Sequence, residues 1–95
     1  MAIKVVITRR VPADKADLLK PLLVQLRALA MTQPGYISGE TLVNVDDSQE
    51  YLVISTWSAL EPWSRWLGDP RRRALQSEVD RVLGRQTEYQ VYCYA

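Results

Sequence analysis

Segments with the apolar pattern of a strand and segments with the apolar pattern of a helix follow one another along this chain, and their order is what most constrains its fold. Four segments rich in β-branched and aromatic residues predict strands at 3–11, 36–45, 50–57 and 86–94. Between the first two strands, leucines recur at helical spacing from Leu18 to Leu29. Between the last two, a tryptophan-containing segment and a second apolar stripe predict helices that end at Gly84. The predicted order is therefore β-α-β-β-α-β.

Capping residues predict where the helices begin, and a glycine predicts where the second strand is irregular. Asp14 is expected to cap the first helix. Ser58 and Glu61 have the spacing of a capping box, which predicts a short helix after the third strand. Asp69, followed by proline, predicts that a further helix starts there. Gly39 predicts a weak point or a bulge in the second strand.

This order is typical of α+β, ferredoxin-like folds, in which both helical segments cover one face of a four-stranded antiparallel sheet. With 95 residues, the chain is expected to be a single domain, residues 1–95. A chain of this size buries only about 60–65% of the surface that its unfolded form exposes. Association with another chain would therefore add stability.

Composition excludes several classes of function. Twelve Lys and Arg against eleven Asp and Glu give a net charge of +1, which disfavours a general nucleic-acid binder. No apolar run exceeds about four residues, so we predict no membrane-spanning segment. One cysteine and no signal-peptide core predict a cytoplasmic protein. Because histidine is absent, His-dependent nucleophiles and His-ligated metal or haem are excluded, and we predict neither a metal site nor a cofactor.

Apolar residues occupy both faces of the predicted strands. In the first strand Val5 and Ile7 oppose Val6, and in the third Val53 opposes Ile54. An uncovered apolar sheet face exceeds what soluble monomers tolerate, so the second face is expected to be covered by another copy of the chain. We predict a homodimer, sheet against sheet. The alternative is a monomer whose aromatic face binds a ligand.

A family resemblance rests on three groups of residues in combination. They are Pro34-Gly35-Tyr36 before the second strand, the third strand from Tyr51 to Trp57, and Ser58-Ala59-Leu60-Glu61 leading into Trp66-Leu67. With these residues the whole chain resembles the antibiotic biosynthesis monooxygenase family, whose members are dimeric α/β barrels of about this length. The resemblance implies a cofactor-independent enzyme that oxidises an aromatic polyketide or a quinol with O2.

The family also has a haem-degrading branch, which uses an Asn on the first strand, a Trp nine residues after the third-strand Trp, and a His ten residues further on. Trp66 lies nine residues after Trp57 and matches. The Asn position corresponds to Thr8 and the His position to Gln76, so haem degradation is disfavoured. In the polyketide-oxidising branch an Asn, a Trp and a Tyr surround the substrate, and of these Trp66 carries over clearly.

Two residues are candidates for catalysis. Trp66 is the first, because it can stack on a planar substrate and donate a hydrogen bond from its indole N–H. The alternative is that Trp63 and Trp66 only fill space against the sheet. Thr8 is the second, because its hydroxyl can orient a substrate, although β-branched residues favour strands in any case.

Four residues are candidates for substrate binding: Arg10, Tyr36, Trp63 and Gln76. Arg9 and Arg10 lie on opposite faces of a strand, so only one of them can enter a given pocket. A guanidinium group in a pocket would stabilise a phenolate or an enolate. Gln76 can hold a polar group where the haem-degrading branch has its His. The alternative for Arg10 and Gln76 is a solvated position.

Two further features are interpreted as structural. Cys93 is expected to be a small buried hydrophobe. The run Arg71-Arg72-Arg73 is expected to form a solvated charged face.

The leading functional hypothesis is a monooxygenase that takes O2 and a small electron-rich aromatic substrate. The alternative is a non-catalytic dimeric module that binds a ligand or has a structural role. A cavity distinguishes the two hypotheses. An oxygenase needs an enclosed apolar pocket of a few hundred Å3, whereas a structural dimer would fill that space with Trp63, Trp66 and the leucines.

Overall fold

A computed structural model describes all 95 residues, which form four strands and three α-helices. The elements are β1 (Ile3–Arg10), α1 (Ala16–Met31), β2 (Tyr36–Asn44), β3 (Asp47–Trp57), α2 (Leu60–Leu67), α3 (Pro70–Leu83) and β4 (Glu88–Cys93). The strands make one antiparallel sheet in the order β2-β3-β1-β4. The predicted α+β, ferredoxin-like fold is therefore confirmed, and its second helical segment is divided into α2 and α3.

The register of the strands assigns the two faces of the sheet. β1 lies against β3 from the pair Ile3 and Trp57 to the pair Arg10 and Glu50. Odd-numbered residues of β1 and β3 point towards the helices, and Val5 and Trp57 among them are fully buried. Even-numbered residues of the same strands point to the opposite face, which no helix covers.

The hydrophobic core lies between the sheet and the helices. Leu19 of α1 and Val79 of α3 are fully buried against it, because α1 packs across α3. Trp63 and Trp66 of α2 are nearly as buried and join the same cluster. Each fully buried aliphatic side chain contributes about 1.5–3 kcal/mol, so the leucine and valine stripes hold the helices on the sheet.

Helix α3 begins and ends where the sequence predicts. The Asp69 carboxylate accepts hydrogen bonds from the backbone N–H groups of Arg71 at 2.8 Å and Arg72 at 3.5 Å, and Pro70 occupies the first turn. Gly84 closes the helix with φ +71°. Both end signals are confirmed.

The other two predicted caps are wrong. Helix α2 starts after Ala59, and no side chain caps it, so Ser58 and Glu61 do not form a capping box. Asp14 lies in a short 3-10 turn, Ala13–Lys15, and α1 follows without a side-chain cap. The residue before α2 is Ala59, in extended backbone, and the residue before α1 is Lys15, so neither predicted polar side chain occupies the capping position.

Gly35 explains why the segment before β2 has a glycine. Its φ is +89°, and a Cβ placed on it would lie 2.4 Å from Cβ of Pro62. The Gly35 carbonyl also accepts a hydrogen bond of 2.8 Å from the backbone N–H of Ser58. This residue therefore ties the start of β2 to the start of α2, and no other residue type fits without strain.

Strand β2 is irregular beside Gly39 rather than at it. The register with β3 shifts between Tyr36 and Ser38, and again between Val43 and Asn44. A Cβ on Gly39 would lie 2.5 Å from the Tyr36 hydroxyl oxygen, so this glycine leaves room for the tyrosine side chain. Our prediction of a bulge at Gly39 was therefore wrong by about two residues.

Several apolar side chains remain at the surface. On the face of the sheet without helices, Leu42 and Tyr92 are exposed, and Val6, Leu52 and Ile54 are partly buried. Cys93 is also exposed, because β4 is an edge strand whose far end no helix covers. The interpretation of Cys93 as a buried hydrophobe was therefore wrong. No helix combines the length and the apolar character that crossing a membrane requires.

Candidate functional site

A cavity of about 430 Å3 lies between α1 and the sheet. Its lining is mainly apolar and comes from α1, β1, β2, β3, α2 and α3. All three tryptophans of the chain, Trp57, Trp63 and Trp66, form part of its wall. Because the odd-numbered residues of β1 and β3 face the helices, the strand alternation decides which side chains reach this space.

Four aromatic rings lie in edge-to-face or tilted contact, and three of them, Tyr36, Trp57 and Trp63, line the cavity. Tyr36 and Trp57 have their ring centroids 5.4 Å apart, Trp57 and Trp63 5.7 Å, and Trp63 and Tyr89 5.7 Å. The Trp57 indole N–H donates a hydrogen bond of 3.1 Å to the Ser55 hydroxyl. Such contacts fix ring orientation, so this wall is rigid before any ligand arrives.

Trp66 differs from the other two tryptophans of the cavity. It is buried and lines the cavity, but it takes part in none of the ring–ring contacts that involve Trp57 and Trp63. Its indole N–H makes no hydrogen bond within the chain, whereas that of Trp57 is bonded to Ser55. A ligand in the cavity can therefore contact a Trp66 side chain whose N–H donor the chain does not use.

Polar side chains meet at one part of this apolar cavity. Arg9 is buried, and its Nη2 donates a hydrogen bond of 3.3 Å to Oε1 of Gln76. The Gln76 amide nitrogen in turn donates to Asp80 at 2.8 Å and to Thr87 at 2.7 Å. Burial lowers the pKa of the Arg9 guanidinium below its usual value, and the nearby Tyr89 and Asp80 oppose that shift.

Arg72 brings a second buried guanidinium to the cavity. One of its amino groups donates to the Leu67 carbonyl at 3.2 Å, and the other donates to the Tyr89 hydroxyl. Its Cζ also lies 5.0 Å from the centroid of the Tyr89 ring, which is a cation–π distance. Burial raises the pKa of the Tyr89 phenol above its usual value, so this phenol is neutral at pH 7.

Positive charge at this part of the cavity is not balanced by a carboxylate in direct contact. The ion pairs of the chain involve Arg10, Arg71 and Arg81, and neither Arg9 nor Arg72 takes part in one. Asp80 is separated from Arg9 by the Gln76 amide. The cavity therefore combines an apolar, aromatic wall with a cationic patch.

No group of three or more metal-ligating side chains is close enough to hold a metal ion.

The exposed side chains that line the cavity mark its open side, between α1 and the edge strand β2. They are Asp17, Lys20, Val24, Arg27, Glu40 and Thr41. Arg27 bridges the two elements, since its Nη2 donates to the Gly39 carbonyl at 3.3 Å. A ligand can therefore enter between α1 and β2.

Comparison with known proteins identifies the family. The sequence model of the antibiotic biosynthesis monooxygenase family matches residues 2–78. The chain belongs to this family. The matched region contains all the residues that line the cavity and ends in α3, before β4. A comparison with curated protein sequences gave no match.

Solved structures of this antibiotic biosynthesis monooxygenase fold resemble the chain over nearly its full length. A conserved protein from Methanosarcina mazei has a TM-score of 0.91 and 16% identity, and the match covers 100% of this chain and 94% of that one. SnoaB, a cofactor-independent oxygenase from Streptomyces nogalater, has a TM-score of 0.85 and 19% identity, and the match covers 99% of this chain and 93% of SnoaB. Rv0793 from Mycobacterium tuberculosis has a TM-score of 0.86 and 16% identity, and the match covers 100% of this chain and 96% of Rv0793. At these identities the likeness supports the fold.

In this family member, four of the six predicted site residues line the cavity: Tyr36, Trp63, Trp66 and Gln76. Thr8 and Arg10 lie on the opposite face of β1. Thr8 is exposed there, and Arg10 forms an ion pair of 2.7 Å with Asp47. The structure does not bring these two side chains to the cavity, because they have the opposite parity from the buried residues of their strand.

Two residues of the cavity were missed by the sequence analysis. Arg9 has the same parity as Val5, which is the signal that places it on the helix side. Arg72 lies four residues before Gln76 and seven before Val79, so the three share one buried stripe of α3. The interpretation of the arginine run as a solvated face was therefore wrong for Arg72.

Proposed function

We propose that this protein is a cofactor-independent monooxygenase that oxidises a small, electron-rich aromatic compound, quinol-like or polyketide-like, with O2. The observation that carries the proposal is the aromatic-walled cavity of about 430 Å3 in a member of the antibiotic biosynthesis monooxygenase family. A purely structural module would fill this space with its own side chains. The volume lies within the range of about 300–1,000 Å3 that small-molecule sites occupy.

Substrate orientation follows from the walls of the cavity. An aromatic ring system stacks on the free face of Trp66, while the fixed rings of Trp57 and Trp63 limit its other positions. The ring system is then held in the same cavity as the cationic patch of Arg9 and Arg72. Such an arrangement holds the substrate in one orientation before O2 arrives.

The electrons for O2 come from the substrate itself, so the reaction needs no cofactor. For an anthrone, loss of one proton from its CH2 group gives a carbanion–enolate that transfers one electron to O2. The substrate radical and superoxide combine to a peroxide, and loss of water from the protonated peroxide leaves a carbonyl. The balance is one anthrone and one O2 to one quinone and one water. The positive charge that Arg9 and Arg72 bring to the cavity favours the anion, which is the species that reacts.

Proton removal limits the choice of substrate. The acidic side chains that line the cavity, Asp17 and Glu40, are exposed near its opening rather than beside Trp66. The Asp80 carboxylate already accepts hydrogen bonds from Gln76 and Thr87. We therefore expect substrates that ionise readily in water, such as hydroquinones and anthrones.

A homodimer is part of the proposal. The partly buried Val6, Leu52 and Ile54 and the exposed Leu42 and Tyr92 make the face opposite the helices apolar. Packing this face against the same face of a second copy would remove it from water. Both cavities would then open away from the shared interface, since they lie on the helix side of each sheet.

Oxygen uptake tests the proposal directly. The purified protein is given a panel of hydroquinones and anthrones in an oxygen electrode, together with Trp66→Leu. We expect uptake above the uncatalysed rate for at least one compound, and a fall of about tenfold or more in Trp66→Leu, because the stacking surface is lost. Leu67→Ala, on the same helix but outside the cavity, is the control and should keep its rate.

Uptake at the uncatalysed rate with every compound, from a protein that melts cooperatively, would contradict the proposal. Equal rates in the wild type and Trp66→Leu would contradict the assignment of this cavity as the reaction site.

A further inference from the structure

We propose that the cationic patch at Arg9 and Arg72 is a binding site for a carboxylate group, so that the ligand of the cavity is an aromatic acid. The inference rests on the proposed function only in taking this ligand to be the substrate. Such a substrate has a carboxylate group in addition to the electron-rich ring on which the oxidation takes place.

The first observation is the unsatisfied hydrogen-bonding capacity of Arg9. The residue is only 7% exposed, and it lines the cavity. Its Nη2 donates to Gln76, but Nε is a buried nitrogen with no hydrogen-bond partner, and no other buried side-chain polar atom in the chain lacks one. Buried polar groups are nearly always paired, so the guanidinium of this cavity-lining residue has hydrogen-bonding capacity that the chain itself does not use.

The second observation concerns charge. Arg9 and Arg72 are both buried, at 7% and 5% exposure, and neither forms an ion pair. Asp80 supplies one negative charge nearby, and its contacts are with Gln76 and Thr87 rather than with either arginine. Two buried cations beside one carboxylate leave an excess of about one positive charge, which one monovalent anion would neutralise.

The third observation is the pre-orientation of the two guanidinium groups. Gln76 holds Arg9 from one side, while the Leu67 carbonyl and the Tyr89 hydroxyl hold Arg72. The Tyr89 ring also stacks near the Arg72 guanidinium. Fixed, planar donors match the two oxygens of a carboxylate, and such charge-assisted bonds are about twice as strong as neutral ones. The rest of the cavity is apolar, so the remainder of the ligand is an aromatic body.

Equilibrium binding of two matched probes tests the inference without any turnover. The probes are 2-naphthoate and 2-naphthamide, which have the same ring and nearly the same shape but differ in charge. Quenching of tryptophan fluorescence reports binding, because three tryptophans line the cavity. We expect 2-naphthoate to bind the wild type about tenfold or more tightly than 2-naphthamide, since a charge-assisted bond to a buried guanidinium discriminates by at least that factor.

Variants of neighbouring residues assign the preference to Arg9. Arg9→Met is expected to remove the preference for 2-naphthoate and to leave the affinity for 2-naphthamide within about twofold. Arg9→Lys keeps the charge and should retain part of the preference. Arg10→Met is the matched control, because Arg10 lies on the opposite face of the sheet, and its affinities should equal those of the wild type.

Equal affinity of the wild type for the two probes would overturn the inference, and so would a preference that survives in Arg9→Met. The comparison of probes on the wild type needs no variant to fold. A preference for 2-naphthoate without oxygen uptake would support the carboxylate site and contradict the monooxygenase. Oxygen uptake with neutral anthrones, together with equal affinity for the two probes, would support the monooxygenase and contradict the carboxylate site.

Discussion

Arg9 is the residue with the clearest conflict between stability and function. Its guanidinium is buried without a carboxylate partner, and burial lowers its pKa because the charged form has lost water. A buried, unpaired charge destabilises a fold unless something outside the chain compensates it. Residues of this kind are retained where a ligand supplies the missing interaction.

Replacement of Arg9 by methionine should therefore stabilise the protein without a ligand. Methionine has a similar length, is apolar and flexible, and leaves only the Gln76 carbonyl oxygen without its donor. We expect the free energy of unfolding to rise by about 1 kcal/mol, the usual size of gain when a functional site is made less polar. Urea unfolding of the wild type and Arg9→Met measures it. A loss of stability of the same size would mean that Arg9 has a structural role instead.

At this scale the sequence could not decide which side of β1 holds the site. Alternation separates Arg9 from Arg10, and Val5 from Val6, but both sets include apolar residues. Only the packing of the helices shows which set is enclosed. Arg72 was obscured for a different reason, because it stands between two exposed arginines, and its burial depends on the exact rotation of α3 about its axis. Trp66 and Gln76 were found through a family resemblance rather than from physical pattern alone.

Among the elements, the junction between β2 and α2 fixes the aromatic wall of the cavity. Gly35 touches Pro62, and the next residue, Tyr36, packs edge-on against Trp57 at 5.4 Å. The position of α2, which carries Trp63 and Trp66, thus depends on a glycine outside the cavity.

Two glycine substitutions separate the causes of strain at this junction. Gly35→Ala meets a positive φ and a Pro62 Cβ at 2.4 Å, so we expect a loss of about 3 kcal/mol in the free energy of unfolding. Gly84→Ala also meets a positive φ, +71°, but nothing lies within 4 Å of the new Cβ, so the loss should be about 1 kcal/mol. Chemical denaturation measures both. Equal losses would show that the close approach to Pro62 is not what requires the glycine.

Element order was the part of the fold that the sequence predicted well. The four strands and the helix start at Asp69 follow from periodicity and capping chemistry, which are local. β3 begins at Asp47, three residues before the predicted start, because β2 and β3 continue to pair close to their connecting turn. The Ser58 cap failed because a tertiary contact with Gly35 determines the backbone there, and no local pattern contains that information.

For the whole molecule, the face of the sheet opposite the helices predicts a dimer. We expect sedimentation equilibrium to give twice the chain mass of 10.9 kDa. Ile54→Lys places a charge at the centre of that face and should give the monomer mass. Val45→Lys makes the same change at the hairpin tip, where Val45 is 99% exposed, and should remain a dimer. A monomeric wild type, or a dimeric Ile54→Lys, would contradict this arrangement.

For the whole molecule, we propose that the protein inserts one oxygen atom from O2 into an aromatic substrate held in the cavity. The most direct measurement is mass spectrometry of the quinone formed from an anthrone under 18O2, with the protein turning over faster than the uncatalysed reaction. We expect one 18O atom in each quinone and no accumulation of hydrogen peroxide. An unlabelled quinone, with hydrogen peroxide formed in proportion to it, would mean that O2 only accepts electrons and that the protein is not a monooxygenase.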